Sequence, residues 1–166
     1  MLAQDPLNEM LMRPHRQPYQ KHNGLAIELS LAERQDGIWL ISEIDMPYGG
    51  YIISPLTERD YLGKYHFNWL EPESIEIDEW REFPPAELGF EPFDREMVPM
   101  VLSDTKIETH LVIQSGVTEL TGEVAFVLEP QCVLYLMPFT MVNSGADEAQ
   151  AWSLVVDTLR IHLPHL

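Results

Sequence analysis

Cys132, the only cysteine, sits in the bend Glu129-Pro130-Gln131-Cys132 and is followed by Val133-Leu134-Tyr135. A single cysteine rules out an internal disulfide and leaves thiolate chemistry open. A thiolate at neutral pH needs a cation or a helix N-terminus beside the sulfur, whereas the neighbouring residues supply a carboxylate and apolar side chains. The expectation is a buried, slowly reacting thiol. Cys132 stays a candidate reactive thiol on one condition, that His110 or an arginine folds against it as a base. The histidines at 15, 22, 66, 110, 162 and 165 are dispersed, with neither H-E-x-x-H nor H-x-H spacing. His66 and His110 each occupy an alternating position in an apolar run. That is the minimum from which two zinc ligands on one face could be built, with a third from an acidic segment.

The acidic segment runs from Glu71 to Glu96, with ten carboxylates against two arginines, Arg81 and Arg95. Converging carboxylates would permit acid/base or metal-assisted hydrolysis. Carboxylates that point apart into water would only solvate a surface, and mutual repulsion favours that arrangement. No D-x-[DN]-x-[DN]-G calcium loop occurs, Gly49-Gly50 lacks a following Lys-Ser or Lys-Thr, and no G-x-G-x-x-G is present. No metal and no cofactor are therefore expected. The aromatic set Tyr48, Tyr51, Tyr61, Tyr65, Phe67, Trp69 and Trp80 belongs mostly in a core, while a loop can present a minority of it to a partner. Tyr48, Tyr51, Trp80 and Phe83 are the expected binding residues, with the acids selecting charge.

The 166 residues suit one domain, and a hydrophobic content of 45 % argues against general disorder. Acidic residues outnumber basic ones 27 to 10, for a formal charge of −17. That balance speaks against nucleic-acid phosphates and anionic membranes, whose binders need Lys and Arg to displace counterions. A basic protein or a cation is the easier partner, and self-association stays open. No apolar run is long enough to span a membrane as a helix, so no membrane insertion is expected. The first twenty residues contain Arg13 and Arg16 but lack the continuous apolar stretch of a secretory leader.

Positioning these groups falls to strands. From Thr105 to Val142, apolar runs of strand length are cut by Gly116, Gly122 and Pro130, and Val124 to Leu128 is apolar on both faces, as in a central strand. Leu25, Ile27, Leu29 and Leu31 alternate with smaller or polar residues, and Asp36-Gly37 turns the chain into Ile38 to Ile44. Lys64 to Leu70 and Ile75 to Asp78 alternate as strands; Met97 to Leu102 does so less well because of Pro99, which points to an edge or a bulge. The rest of 71–96 reads as a partly looped stretch pinned to the body by Trp80, Phe83, Leu88, Phe90 and Phe93. Ala146 to Trp152 reads as a helical turn or two, and Ser153 to His162 as a closing strand. Residues 1–24, with Pro6, Pro14 and Pro18, form an N-terminal arm, leaving 25–166 as the folded domain. Eight or nine strands in all predict an all-β fold, a single antiparallel immunoglobulin-like β-sandwich.

From Leu25 to about Phe139 the order of features resembles the amino-terminal immunoglobulin-like domain of bacterial thiol:disulfide interchange proteins. The resemblance is carried by the Asp36-Gly37 turn, the aromatic Tyr48-Gly49-Gly50-Tyr51-Ile52 bend, the acidic middle and the bend from Phe126 to Cys132. It implies a bacterial envelope protein, periplasmic or extracellular once a leader is removed. That family uses two cysteines about six residues apart in this bend. Here those positions are Phe126 and Pro138, so exchange between two thiols of this chain is ruled out. The function expected is a non-catalytic binding or interaction domain, with a carboxylate- or metal-assisted hydrolase, or a redox partner acting through Cys132, as the alternatives.

Overall fold

A computed structural model describes residues 20–145 and 151–163. The strands are β1 (Gln20–His22), β2 (Leu25–Arg34), β3 (Gly37–Asp45), β4 (Ile52–Ile53), β5 (His66–Trp69), β6 (Ile75–Phe83), β7 (Glu87–Glu91), β8 (Glu96–Val101), β9 (Thr105–Ile113), β10 (Glu119–Leu128), β11 (Val133–Asn143), β12 (Trp152–Val156) and β13 (Arg160–His162). A 3-10 turn, Pro72–Ser74, leads into β6. All pairings are antiparallel. One sheet has the order β1-β2-β3-β9-β6, a second has β12-β11-β10-β5 with β13 also on β11, and a third has β4-β8-β7.

Alternation explains how the first two sheets meet. In β2 the odd-numbered apolar residues Leu25, Ile27 and Leu29 enter the core, joined by Leu40 and Ile44 of β3 and by Ile107 and Leu111 of β9. From the second sheet come Val124, Phe126 and Leu128 of β10 and Tyr135, Met137, Phe139 and Met141 of β11. Both sheets thus share one core, as in a sandwich. A deep polar contact in it joins the Ser42 hydroxyl to the Tyr65 phenol. Burial pushes that phenol's pKa upward, with the hydrogen bond opposing only part of the effect.

The third sheet stands beside the other two with a small core of its own, Ile53, Tyr61, Val98 and Met100. This departs from the single two-sheet arrangement expected, and the described residues form thirteen strands rather than eight or nine. Most of the acidic segment is strand, not pinned loop: Trp80 packs against the main core, but Phe83, Leu88, Phe90 and Phe93 are exposed. Pro99 lies in the middle strand of its sheet. Its carbonyl accepts the Ser54 N–H at 3.0 Å, so its missing donor faces the side where the two-residue β4 has ended. Gly122 lies inside β10, where a Cβ would come within 2.8 Å of Trp69; a side chain there would clash with the aromatic layer. The β2–β3 loop is Gln35-Asp36, with Gly37 already paired to Arg34.

Gln20–His22, read as part of the arm, adds to the first sheet, while residues 1–19 lie outside the described residues. The helical turn expected at Ala146 to Trp152 falls largely on 146–150, also outside them, and Trp152 opens β12. The closing strand expected from Ser153 to His162 is two strands, β12 and β13, both paired to β11.

Candidate functional site

Three elements converge at the third sheet: the loop from 54 to 65, the β7–β8 turn, and the bend between β10 and β11. Arg59 and Tyr61 fasten the loop to β8. Arg59 Nη1 donates to Glu96 Oε2 at 2.9 Å, the Tyr61 hydroxyl donates to the same oxygen at 2.7 Å, and the guanidinium lies 5.0 Å from the Tyr61 ring centre. The Tyr61 hydroxyl first, and Arg59 with it, hold the Glu96 carboxyl below its ordinary range. On the other side, Tyr51 and Glu129 exchange backbone hydrogen bonds of 2.8 and 2.9 Å, which ties the β10–β11 bend to the start of β4.

Between these elements lies a cavity of about 340 Å³. Its apolar walls include Ile53, Leu62, Phe93 and Val127, and Glu91, Asp94, Glu129 and Cys132 also line it. Glu91 is 4 % exposed, and its Oε2 accepts the Asp94 N–H at 2.6 Å. Leu62, at 99 % exposed, stands at the surface. The Cys132 thiol, half-buried rather than fully buried, donates to Glu129 Oε2 at 3.2 Å. That bond, aided by burial and the carboxylate's charge, pushes the thiol pKa up, so no cation activates it. Burial, then the charges of Glu129 and Glu91, likewise raise the Tyr51 phenol. The cavity is a negative field enclosed by apolar walls.

Sharing Tyr61, Leu62 and Gly63 with it is an open slot of about 500 Å³ that includes Phe67, Trp80 and His66. Trp80 stacks on Phe67 at 5.5 Å, so the ring expected as an anchor forms part of the slot wall while packing on the core. On the outer side of the third sheet, Leu88 faces Pro99 and Phe90 faces Met97 across the β7–β8 pair. Leu88 is 68 % exposed, and Phe90 and Met97 are each 59 % exposed. Glu87, Glu91 and Glu96 alternate to the opposite side of the pair, the side of Val98 and Met100.

The first sheet's outer face is organised differently. Trp39 is fully buried there beneath Arg34, Arg81 and His110: the guanidinium carbons lie 5.1 and 4.2 Å from its ring centre, and the imidazole stacks at 4.8 Å. Arg34 makes two 2.8 Å bonds to Glu108, and Trp39 Nε1 donates to Asp36. His110 pairs with Asp78 and with the Asp36 carbonyl. These polar groups satisfy one another, which makes the face a structural lattice.

The sequence-predicted site residues are therefore dispersed. Tyr48 is wholly exposed on its bend, Tyr51 packs on the small core beside the cavity, Trp80 lines the slot, and Phe83 lies under Lys106 with Nζ 5.2 Å from its ring centre. His66 and His110 belong to different sheets, and among the described residues no group of three His, Cys, Asp or Glu is arranged to hold a metal. Glu91, Asp94, Leu62 and Phe93 were not legible as partners, and Glu129 drew notice only as a neighbour of Cys132.

No family model, curated protein or solved structure matches the chain. Among the described residues, no helix is long and apolar enough to cross a membrane.

Proposed function

We propose that this chain is a non-catalytic binding domain that engages a basic protein partner through the outer face of β7 and β8. The observation that carries this reading is the adjacent exposure of Leu88, Phe90 and Met97 on one face of the strand pair. Exposed large apolar side chains held side by side on a rigid strand pair mark contact surfaces, and aromatic anchors dominate such contacts. The chain's net charge of −17 accelerates encounter with a basic partner and disfavours a second copy of the chain as that partner. The same proposal includes an immunoglobulin-like assignment for the paired five-stranded sheets and a bacterial envelope setting. Their support is the shared core and the element order described above.

The test uses a peptide alternating lysine with leucine and its glutamate–leucine counterpart, each followed by fluorescence anisotropy. The basic peptide is expected to bind, to weaken as salt rises from about 0.05 to 0.5 M, and to lose about tenfold in affinity with Phe90→Ser. The melting temperature of that variant should be unchanged, because the ring is largely in water already. Equal binding of both peptides, or full affinity in Phe90→Ser, would overturn the reading. Tyr48→Ala and Trp80→Ala in the same assay determine whether the anchors read from the sequence take part.

A further inference from the structure

The third sheet ends on β7, which among the described residues pairs with β8 alone. Residues directly opposite each other in an antiparallel pair turn their backbone groups either both toward the partner strand or both away from it. Pro99 has no N–H, and its carbonyl accepts the Ser54 N–H on the side away from β7. Leu88 lies opposite Pro99, and Phe90 opposite Met97, two residues along. The N–H and C=O of Leu88 and Phe90 therefore point out of the sheet edge, while Glu87, Gly89 and Glu91 bond to β8. No other element of the described residues supplies a backbone bond to Leu88 or Phe90. Edge strands are ordinarily guarded against further pairing by proline, lysine or a bulge. β6, at the edge of the first sheet, has a register shift of that kind between Ile77 and Glu79. β7, with the sequence Glu-Leu-Gly-Phe-Glu, has none of these guards.

We infer that the free edge of β7 takes up an extended segment of the basic partner as an added antiparallel strand, bonded through the backbone of Leu88 and Phe90. This use of the strand pair rests on the partner surface proposed above and specifies how the partner engages it. Strand addition draws affinity from main-chain hydrogen bonds and specificity from alternate side chains. Side chains directly opposite each other across a strand pair share a face. An added residue opposite Leu88 or Phe90 thus projects onto the outer face, where those two side chains and Met97 are exposed, and an apolar side chain suits it. The residues between project to the side of Glu87, which is exposed, so lysine or arginine suits them. An acidic segment would set a carboxylate beside Glu87, and like charges side by side in a strand pair are destabilising. The occupant is a segment that alternates apolar and basic residues.

The probes are short peptides alternating leucine with lysine, bound to the full chain and followed by fluorescence anisotropy: the parent, an isomer N-methylated at every leucine and an isomer N-methylated at every lysine. N-methylation deletes a backbone donor and leaves side chains and charge the same. In an antiparallel added strand the leucines opposite Leu88 and Phe90 turn their N–H toward β7, and the lysines turn theirs to water. Leucine methylation should therefore lower affinity about tenfold or more, while lysine methylation is tolerated. In the protein, Leu88→Pro removes the outward N–H without touching a bond to β8, and proline is tolerated on an edge strand. It should bind the parent peptide about tenfold less well than Leu88→Ala, which loses only side-chain atoms. Amide exchange read by NMR needs no variant: the Leu88 and Phe90 amides should exchange fast in the free chain and slow when the parent peptide is bound. Equal affinity of the two methylated isomers, loss confined to the lysine-methylated one, equal binding by Leu88→Pro and Leu88→Ala, or unslowed exchange at Leu88 and Phe90 would each overturn strand addition. If the parent peptide still loses affinity in Phe90→Ser after such a result, the outer-face reading stands without the added strand. Failure of the parent peptide to bind at all would remove both.

Discussion

At the residue scale, two titrating groups are each held protonated by a neighbouring carboxylate, one as a neutral thiol and one as a cation. Cys132 faces a carboxylate at 3.2 Å, and the bond to Glu129 together with burial keeps the thiol protonated. Its alkylation rate should be slow at pH 7 and should rise only above the usual thiol midpoint of about 8.5; Glu129→Ala, by removing the charge and the acceptor, should move that midpoint down. A midpoint at or below the ordinary value in the native chain would show that the carboxylate does not govern the sulfur. His110 is held protonated as well, but in its charged form. Its Nδ1 lies 2.9 Å from Asp78 and its Nε2 lies 2.7 Å from the Asp36 carbonyl, and only the doubly protonated ring donates to both. The hydrogen bond to Asp78 is the main cause of a raised pKa, which burial partly opposes. A raised folded value means that the stabilisation is complete below about pH 6.5, the unfolded value, and is lost as pH rises through the folded one. NMR titration should therefore place His110 above its ordinary midpoint and return it toward that value in Asp78→Asn. The melting-temperature gap between the two proteins should be widest in acid and close as pH increases. Coincident midpoints would remove the argument.

At the scale of elements, the loop from 54 to 65 reaches its place because Gly63 can do what a larger residue cannot. Its φ is +89°, its carbonyl accepts the Val127 N–H at 2.9 Å, and an added Cβ would approach Val127 Cβ to 2.7 Å. Gly63→Ala should cost at least about 1–2 kcal/mol in urea unfolding, from the left-handed conformation alone; a variant of unchanged stability would show that the loop rearranges freely. A second strap crosses the first sheet, where Arg34 of β2 passes Trp39 of β3 to reach Glu108 of β9. Arg34→Met should destabilise by about 1–3 kcal/mol, since a buried carboxylate loses its main partner. Much of this architecture was legible. β2 and β3 each bury one alternating apolar set, so period-two patterning located them within a few residues, while the core of β10 showed as a short run apolar on both faces. The acidic segment defeated the same rule for a physical reason. In β7 and β8 the large side chains Leu88, Phe90 and Met97 face water, and alternation reveals that two faces differ without revealing which one is covered. The cavity was illegible for another reason: its walls come from residues 53, 61–63, 91–94 and 127–132, which only tertiary folding brings together.

At the scale of the whole molecule, the excess of acid is itself an energetic quantity. Among the described residues, Arg34, Arg59, Arg81, Lys106 and Arg160 form ion pairs with Glu108, Asp94, Glu96, Glu79 and Asp157. Apart from the pairs that Arg34 and Lys106 make with the buried Glu108, these pairs are exposed, and such pairs contribute little each. Against them stands the chain's net charge of −17, and unfolding lets like charges that the fold holds together move apart. Two responses to salt follow from which side is larger. If ion pairs dominate, screening removes attraction and the melting temperature falls; if the excess charge dominates, screening removes repulsion and it rises. The imbalance of 27 acids to 10 bases places the chain in the second case. The melting temperature should therefore increase as sodium chloride goes from about 0.01 to 0.2 M, over which the screening length shortens from about 30 to below 10 Å. Tetramethylammonium chloride should act equally, because screening depends on ionic strength and not on coordination. A falling melting temperature would give the ion pairs the larger share, and a rise with sodium but not with tetramethylammonium would point to site binding of the smaller cation in place of diffuse screening.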